Sequence, residues 1–537
     1  MGQEKKTMWR VTVWLTLIWA LSILYGEMFA FWVPPLLTCS WPHQVNELDS
    51  SELNGDFVKI AIIADPQIMD RTSHHLPSLV LEIAEFYSDL FMRRAFLSSI
   101  LSFKPDAILF LGDYMDGGPY LSDDEWQESL SRFKHIFNLN MLQQNTNTKV
   151  YFLSGNHDVG YAAVLSKMPE VTRRYEKEFG ARNYRFKLGQ VDFVTIDSQT
   201  LDGNAQEDVT ATTWKFISNV SEDPSSTSRV LLTHIPLYRP NETSCGPYRA
   251  SSIINQRITR SPGDQQILYQ NYVTEKSSNN VLNSIRPALI LSGHDHDQCT
   301  VTHMAKHGPV KEHTVGTVSW QQGNLFPSFM LLSVSNRSFP EGIAPEDVIS
   351  TKLCFLPFQT FIYIWYLILF VITLIAALFW QATDGFISHI FGNFRECIRS
   401  LLSLTVFGGI EKEKNEDENC EYEILWDADG SIHMMKKASK APPKSATDRA
   451  SAERGNAVMR ATAKRPSGQE ADGLAMTGDV SVNVGLLETT MTPARAKKSK
   501  WTSVVRRLLC AFRIVALVAV VNVPLYMMLL FKDWIDK

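Results

Sequence analysis

The stretches VKIAIIADPQ (58–67), DAILFLGDYMDGG (106–118) and KVYFLSGNHD (149–158) decide the fold. Each is a short, largely apolar run that stops at a Gly, Asp or Asn, the pattern of a buried strand followed by a sharp turn. The same form recurs in VDFVTIDS (191–198), RVLLTH (229–234), PALILSGH (287–294) and FMLLSVS (329–335). Nearly continuous apolar character, rather than strict alternation, predicts sheets covered on both faces. Polar, helix-compatible stretches separate the runs, with Leu81 to Phe103 reading as a helix, so the class is α/β. YRFKLGQVDFVTID (184–197) predicts a hairpin with Gly189 in its turn, and the polar segment 240–262 a loop over the site.

Apolar segments bracket this region. VTVWLTLIWALSILYGEMFAFW (11–32) and the segment ending at Trp380 (357–380) each reach the roughly 20 residues needed to span a bilayer. The first carries Glu27 near its far end; a cleaved signal peptide is the alternative, opposed by the length of the run. A third candidate span covers 513–531 and contains Pro524, with an interfacial helix as its alternative. Lys5, Lys6 and Arg10 precede the first span, and Arg495, Lys497, Lys498, Lys500, Arg506, Arg507 and Arg513 lie before the apolar run of the third. The positive-inside rule therefore places both flanks in the cytosol. The expected organisation is a cytosolic N-terminus (1–10), a transmembrane helix (11–32), a luminal linker (33–56), a luminal domain (57–350), a transmembrane helix (357–380), a cytosolic, largely disordered segment (381–510) and the third span (513–531).

Sequons at Asn219, Asn241 and Asn336 all fall in the part expected to be luminal. Four cysteines, Cys39, Cys245, Cys299 and Cys354, lie there too, where a bridge such as Cys245 to Cys299 is possible, but sequence alone does not assign pairs. The net charge of −5 and the lack of a basic stripe argue against a nucleic-acid partner.

Asp65, Asp113, Asn156, His234 and His294 each follow or close an apolar run. Sheets gather ligands at the carboxyl ends of their strands, so these runs would converge on one crevice. A lone GNHD is merely a polar turn; five such ends in order are not. Mixed oxygen and imidazole donors suit manganese, zinc or iron better than magnesium.

These motifs resemble the calcineurin-like metallophosphoesterase superfamily, whose pattern is D-x-H, GDxxD, GNH[DE], a later His, and GHxH. The resemblance implies a metallophosphoesterase β-sandwich flanked by helices and a pair of divalent ions, manganese preferred and zinc or iron possible. By position, it implies that Asp65 and His296 bind the first ion, Asp113 bridges, and Asn156, His234 and His294 bind the second. His157, paired with Asp158, would serve the leaving group, and Asp116 would support the shell. Gln67 stands where the pattern has His, and its amide oxygen is a weaker ligand; His74 and His75 lie close by.

The wider phrases ADPQIMD, SGNHDVGY, THIPLYR and LSGHDHDQC resemble fungal endoplasmic-reticulum phosphoesterases that remodel glycosylphosphatidylinositol (GPI) anchors. That resemblance implies a GPI lipid or GPI-anchored protein as substrate and the endoplasmic reticulum membrane, or the Golgi, as location. Ser/Thr protein phosphatases read GDxVDRG and GNHE instead. Gly117 and Asp158 replace the Arg and Glu here, and losing the guanidinium grip on a phosphate dianion favours a diester. Arg239 is a candidate substitute contact. The competing readings are another luminal phosphomonoesterase or phosphodiesterase, a nuclease, and a GPI-recognising sorting protein without turnover.

Overall fold

Alternation within the first strand already divides the fold into layers. Ile60 and Ile62 point one way and Ala61 and Ile63 the other, and all four are fully buried, so this strand is covered on both faces. The computed structural model describes residues 2–42, 57–379 apart from 74–76, 205–207, 224–227, 250–252, 263–264, 325 and 337–347, and then 422–426, 432–436 and 500–535. His74 and His75 lie outside the described residues, as do most of 33–56 and of 381–510.

The strands are β1 (Phe57–Ile63), β2 (Ala107–Phe110), β3 (Lys149–Phe152), β4 (Tyr184–Leu188), β5 (Val191–Thr195) and β6 (Arg229–Leu232), then the short β7 (Thr243–Ser244), β8 (Ile253–Ile254), β9 (Ile258–Arg260) and β10 (Ile267–Gln270). They end with β11 (Leu289–Ser292), β12 (Cys299–Ala305), β13 (Gly308–Thr314), β14 (Ser328–Ser335) and β15 (Ile349–Phe355). One sheet runs β15-β14-β1-β2-β3 and the other β12-β13-β11-β6-β5-β4. β1, β2 and β3 are parallel, as are β5, β6, β11 and β13, while antiparallel strands close the edges. Between the sheets pack Ile60, Ile62, Leu109, Phe193, Val230, Leu232, Leu291 and Leu332. Helices cover both outer faces, so the fold is the expected α/β sandwich flanked by helices.

The expected hairpin is β4–β5, with Gly189 at φ +57° in its turn. The expected helix at 81–103 is α3 (Ser78–Arg94) followed by a wider π turn to Ile100; α1 (Gly2–Leu24) and α2 (Ala30–Thr38) precede it. Segment 240–262 is not bare loop, because it forms β7, β8 and β9.

Among the described residues, three helices are long and apolar enough to cross a membrane: Met8–Thr38, Gln359–Leu378 and Val504–Trp534. The first continues past residue 32 through Pro34 and Pro35, with a π turn at Tyr25–Phe29 around Glu27. Disulfide Cys39–Cys354 ties its end to β15, and Cys245–Cys299 links the β7 region to β12. The segment 383–499 is a separate unit in which Tyr422–Trp426 pairs with Ile432–Lys436; the rest of it, and with it the expected disorder, lies outside the described residues.

Candidate metal centre

Five strand ends meet at the edge of the sandwich. Asp65 follows β1, Asp113 follows β2, Asn156 opens the turn after β3, His234 follows β6, and His294 and His296 follow β11. The turns are so tight that Asp65, Gln67, Asp113, His294 and His296 all adopt positive φ, between 40° and 69°. Such backbone costs on the order of 1 kcal/mol or more per residue and persists where surrounding structure holds it. Glycine makes the close approach possible at two points. A Cβ on Gly155 would meet the Asp113 carboxylate at 2.0 Å, and one on Gly112, itself at φ +94°, would meet His234 Nδ1 at 2.6 Å.

Ligand atoms of Asp113, His234 and His294 lie within 4.8 Å of one another, and so do those of Asp65, Asp113 and His296. Asp113 belongs to both groups. Its Oδ1 accepts the His157 backbone N–H at 2.8 Å, and its Oδ2 faces His234 Nε2 at 3.1 Å and the Gln67 amide at 3.2 Å. Gln67 therefore faces the centre from the position the family pattern gives to His. Asn156 Oδ1 lies 3.2 Å from His234 Nε2. Backbone carbonyls orient the imidazoles: Leu111 O takes His234 Nδ1 at 2.7 Å and Gln270 O takes His294 Nε2 at 2.9 Å, leaving the other ring nitrogen of each for the centre. The Asp65 carboxylate accepts the His294 N–H, and its carbonyl accepts the Thr317 hydroxyl at 2.6 Å.

Electrostatics without a cation are frustrated. Burial pushes the Asp65 carboxyl up to about 8, with Asp113 adding repulsion. Burial would raise Asp113 too, yet His234 and His157 hold it well below the ordinary range. His234 is lifted to about 9: burial disfavours its charge, but Asp113 and Asp65 outweigh it. Burial drives His294 down to about 3 and His296 to about 4. Two buried carboxylates, met only by protons on Asp65 and His234, form with the neutral His294 and His296 a donor set that divalent cations suit, so the residues fit a metal.

Around this shell the side chains divide. His157 is part-exposed; its Nδ1 contacts the Asp116 carbonyl and lies 3.4 Å from the Asp116 carboxylate. Asp113 and Asp116 raise its pKa against the opposing effect of burial. Asp158, expected to pair with His157, does not. Its carboxylate accepts the backbone N–H groups of Asp113, Tyr114 and Gly155, each at 2.8 Å, which clamps the β2 turn onto the β3 turn. Arg239, expected to contact substrate, is also corrected: it is 1% exposed, bonds Thr314 Oγ1, lies 3.5 Å from Glu312 and stacks over Tyr272. The chain after His234 turns into the core, and the guanidinium neutralises the buried Glu312. Asp70 and Asp295 were not singled out by sequence. Asp70 accepts the Gly117 N–H at 2.8 Å and fixes the GDYMDGG loop; Asp295 accepts Arg249 at 2.9 Å between the two GHDH histidines. Both sit inside quoted motifs, and only tertiary contact reveals them. The sequon residues Asn219, Asn241 and Asn336 are all exposed.

Fold and site together define a metal-dependent phosphoric ester hydrolase. Residues 58–298 match the calcineurin-like phosphoesterase family, and the chain carries a calcineurin-like metallophosphoesterase domain. It is similar to cell division control protein 1 of Saccharomyces cerevisiae, 28% identical over 65% of this chain and 70% of that one. It is also similar to metallophosphoesterase 1 of Mus musculus, 26% identical over 64% and 83%, and to a metallophosphoesterase 1 homolog of Drosophila melanogaster, 25% identical over 64% and 87%.

Proposed function

We propose that the chain is a dinuclear phosphodiesterase that removes ethanolamine phosphate from a mannose of the GPI glycan, with its catalytic domain in the lumen of the endoplasmic reticulum. The observation that carries the chemistry is Asp113, shared by two ligand groups. Asp65, Gln67 and His296 would hold one ion, and Asn156, His234 and His294 the other, with Asp113 between them; manganese is the preferred metal. When bound, such a pair supplies Lewis acidity that activates water and takes up charge on the phosphoryl oxygens.

The protein's own groups do the rest. His157, whose charged form Asp113 and Asp116 favour against burial, stands at the exposed side of the centre and would donate a proton to the departing alkoxide. Asp158 keeps the two loops in register. The absence of an Arg at Gly117 and the burial of Arg239 leave less cationic grip on a dianion, which supports a diester substrate. Two disulfides support an oxidising compartment, and the three apolar helices a membrane setting. The GPI substrate rests on the motif phrases and on the similarity to the yeast and animal proteins.

Mass spectrometry of GPI glycans from cells with and without the chain tests this. Deletion should leave one extra ethanolamine phosphate on a defined mannose, which wild type removes and D113A does not. Unchanged glycans, or rescue by D113A, would overturn the reading.

A further inference from the structure

α3 opens with Leu79, Val80 and Ile83 exposed on one side, an apolar stripe on a helix whose later residues are buried in the domain. Val80, Ile83 and Ala84 form one wall of a groove of about 520 Å³. Its floor is made by Tyr87 together with Tyr363 and Tyr366 of the second apolar helix and Tyr526 of the third. Tyr87 meets Tyr363 edge-on at 6.3 Å, and its hydroxyl lies 3.3 Å from that of Tyr526. The rim is Met69, Trp320 and Gln321, and Gln321 donates to the Gln67 carbonyl at 3.5 Å. The groove thus begins on the loop whose Gln67 amide faces Asp113 and ends on two candidate membrane helices.

Its size is that of a ligand site. Among the described lining residues none is charged, and their polar groups are tyrosine hydroxyls, the Trp320 indole and one amide, so these walls suit hydrocarbon rather than phosphate. Depth points to the source. Tyr366 lies seven residues inside the helix that starts at Gln359, about 10 Å along its axis, and Tyr526 eight residues from Trp534, about 12 Å. Both helix ends meet the catalytic domain, through Phe358 on Phe326 and Trp534 on Phe86 and His135, so the floor lies at the domain end of two candidate spans, where amphipathic tyrosines suit a membrane boundary. Another apolar cavity at these helices, about 420 Å³ between the first and second, is lined by no residue of the metal-site loops.

We propose that this groove is a lipid subsite, holding the hydrocarbon chain of a membrane-anchored substrate while its rim leads the polar head to the metal centre. The inference rests on the reading above that the substrate is lipid-linked, and deepens it. It accounts for a soluble-type phosphoesterase domain being fastened to apolar helices: the groove exists only where the two meet.

The test uses the full chain in phosphatidylcholine nanodiscs containing phosphatidylinositol with a diazirine in its acyl chain. Photolabelling should concentrate on Ile83, Trp320 and Tyr363. A84W, which fills the groove, and V80E, which places a charge on its exposed mouth, should each cut that labelling at least 10-fold. Labelling of Leu367 and Phe370 on the outer helix face should persist. Metal content reports whether each variant is folded, and V80E changes an already exposed position. No labelling in the groove, labelling unaffected by both variants, or equal labelling by a diazirine phosphatidylcholine would overturn the proposal, the last showing ordinary bilayer lipid there. Groove labelling together with unchanged cellular GPI glycans would support the subsite and sink the GPI assignment, so the two readings fail separately.

Discussion

Two buried polar clusters in this molecule solve the same problem in opposite ways. At the metal centre, Asp65 and Asp113 are buried together, His294 and His296 are kept neutral by burial, and the carboxylates are met only by protons, on Asp65 and on His234, that a divalent cation can replace. At the junction between domain and helices, Arg94 of α3 pairs with Glu27 of the first apolar helix and with Asp533 at the end of the third at 2.9 Å, while Tyr366 bonds Glu27 at 3.0 Å. That cluster is closed: each charge has an opposite charge beside it. Buried charge met only by replaceable protons is a binding site, whereas buried charge supplied with a permanent counter-ion is a fastener.

The comparison breaks most visibly at Asp113. D113A should lower phosphodiester hydrolysis by at least about 10³-fold, beyond the roughly 10²–10³ typical of removing a single transition-state donor, because one carboxylate serves both ligand groups. Hydrolysis of bis(4-nitrophenyl) phosphate by purified protein measures this, and near-normal turnover would remove Asp113 from the centre.

At the fastener the loss should be in stability. R94M leaves Glu27 buried without its partner and should cost about 3–5 kcal/mol, read as a lower Tm in detergent; the double variant R94M/E27Q should recover most of it. A double variant no better than the single one would show that the ion pair is not what holds the junction.

H157A should reduce turnover by about 10²-fold while metal content stays near wild type, because its ring lies outside both ligand groups. Loss of metal comparable to D113A would place it among the ligands.

The smallest effect concerns pH. Asp113 and Asp116 raise the His157 pKa, so its acid form persists above the ordinary imidazole range and activity should fall as pH rises through that raised value. D116N removes a negative charge, destabilises the imidazolium and should move the alkaline limb to lower pH. A limb that stays in place would separate Asp116 from His157.

The two clusters also differ in how far sequence reveals them. The centre was readable because each donor closes an apolar run, and strand ends in such sheets converge whatever lies between them. The sandwich was readable for the same reason, except β12, β13 and β15: TVTHMA, PVKEHT and ISTKLCF mix polar and apolar residues near the sheet edges and carry no long apolar run, and β15 runs past the expected domain end at 350. Asp158 and Arg239 were misjudged because motif position says nothing of direction: one carboxylate turns to three backbone amides, and one guanidinium turns into the core. Glu27 stood out only as an interruption in an apolar stretch. Its partner lies 67 residues away, and no periodicity links the two.

The central claim is that Asp113 joins two metal ions at the meeting point of these strand ends. Elemental analysis of purified wild type and D113A tests it most directly. The account predicts two divalent ions per wild-type chain and a loss of both in folded D113A; two ions retained by D113A would contradict it.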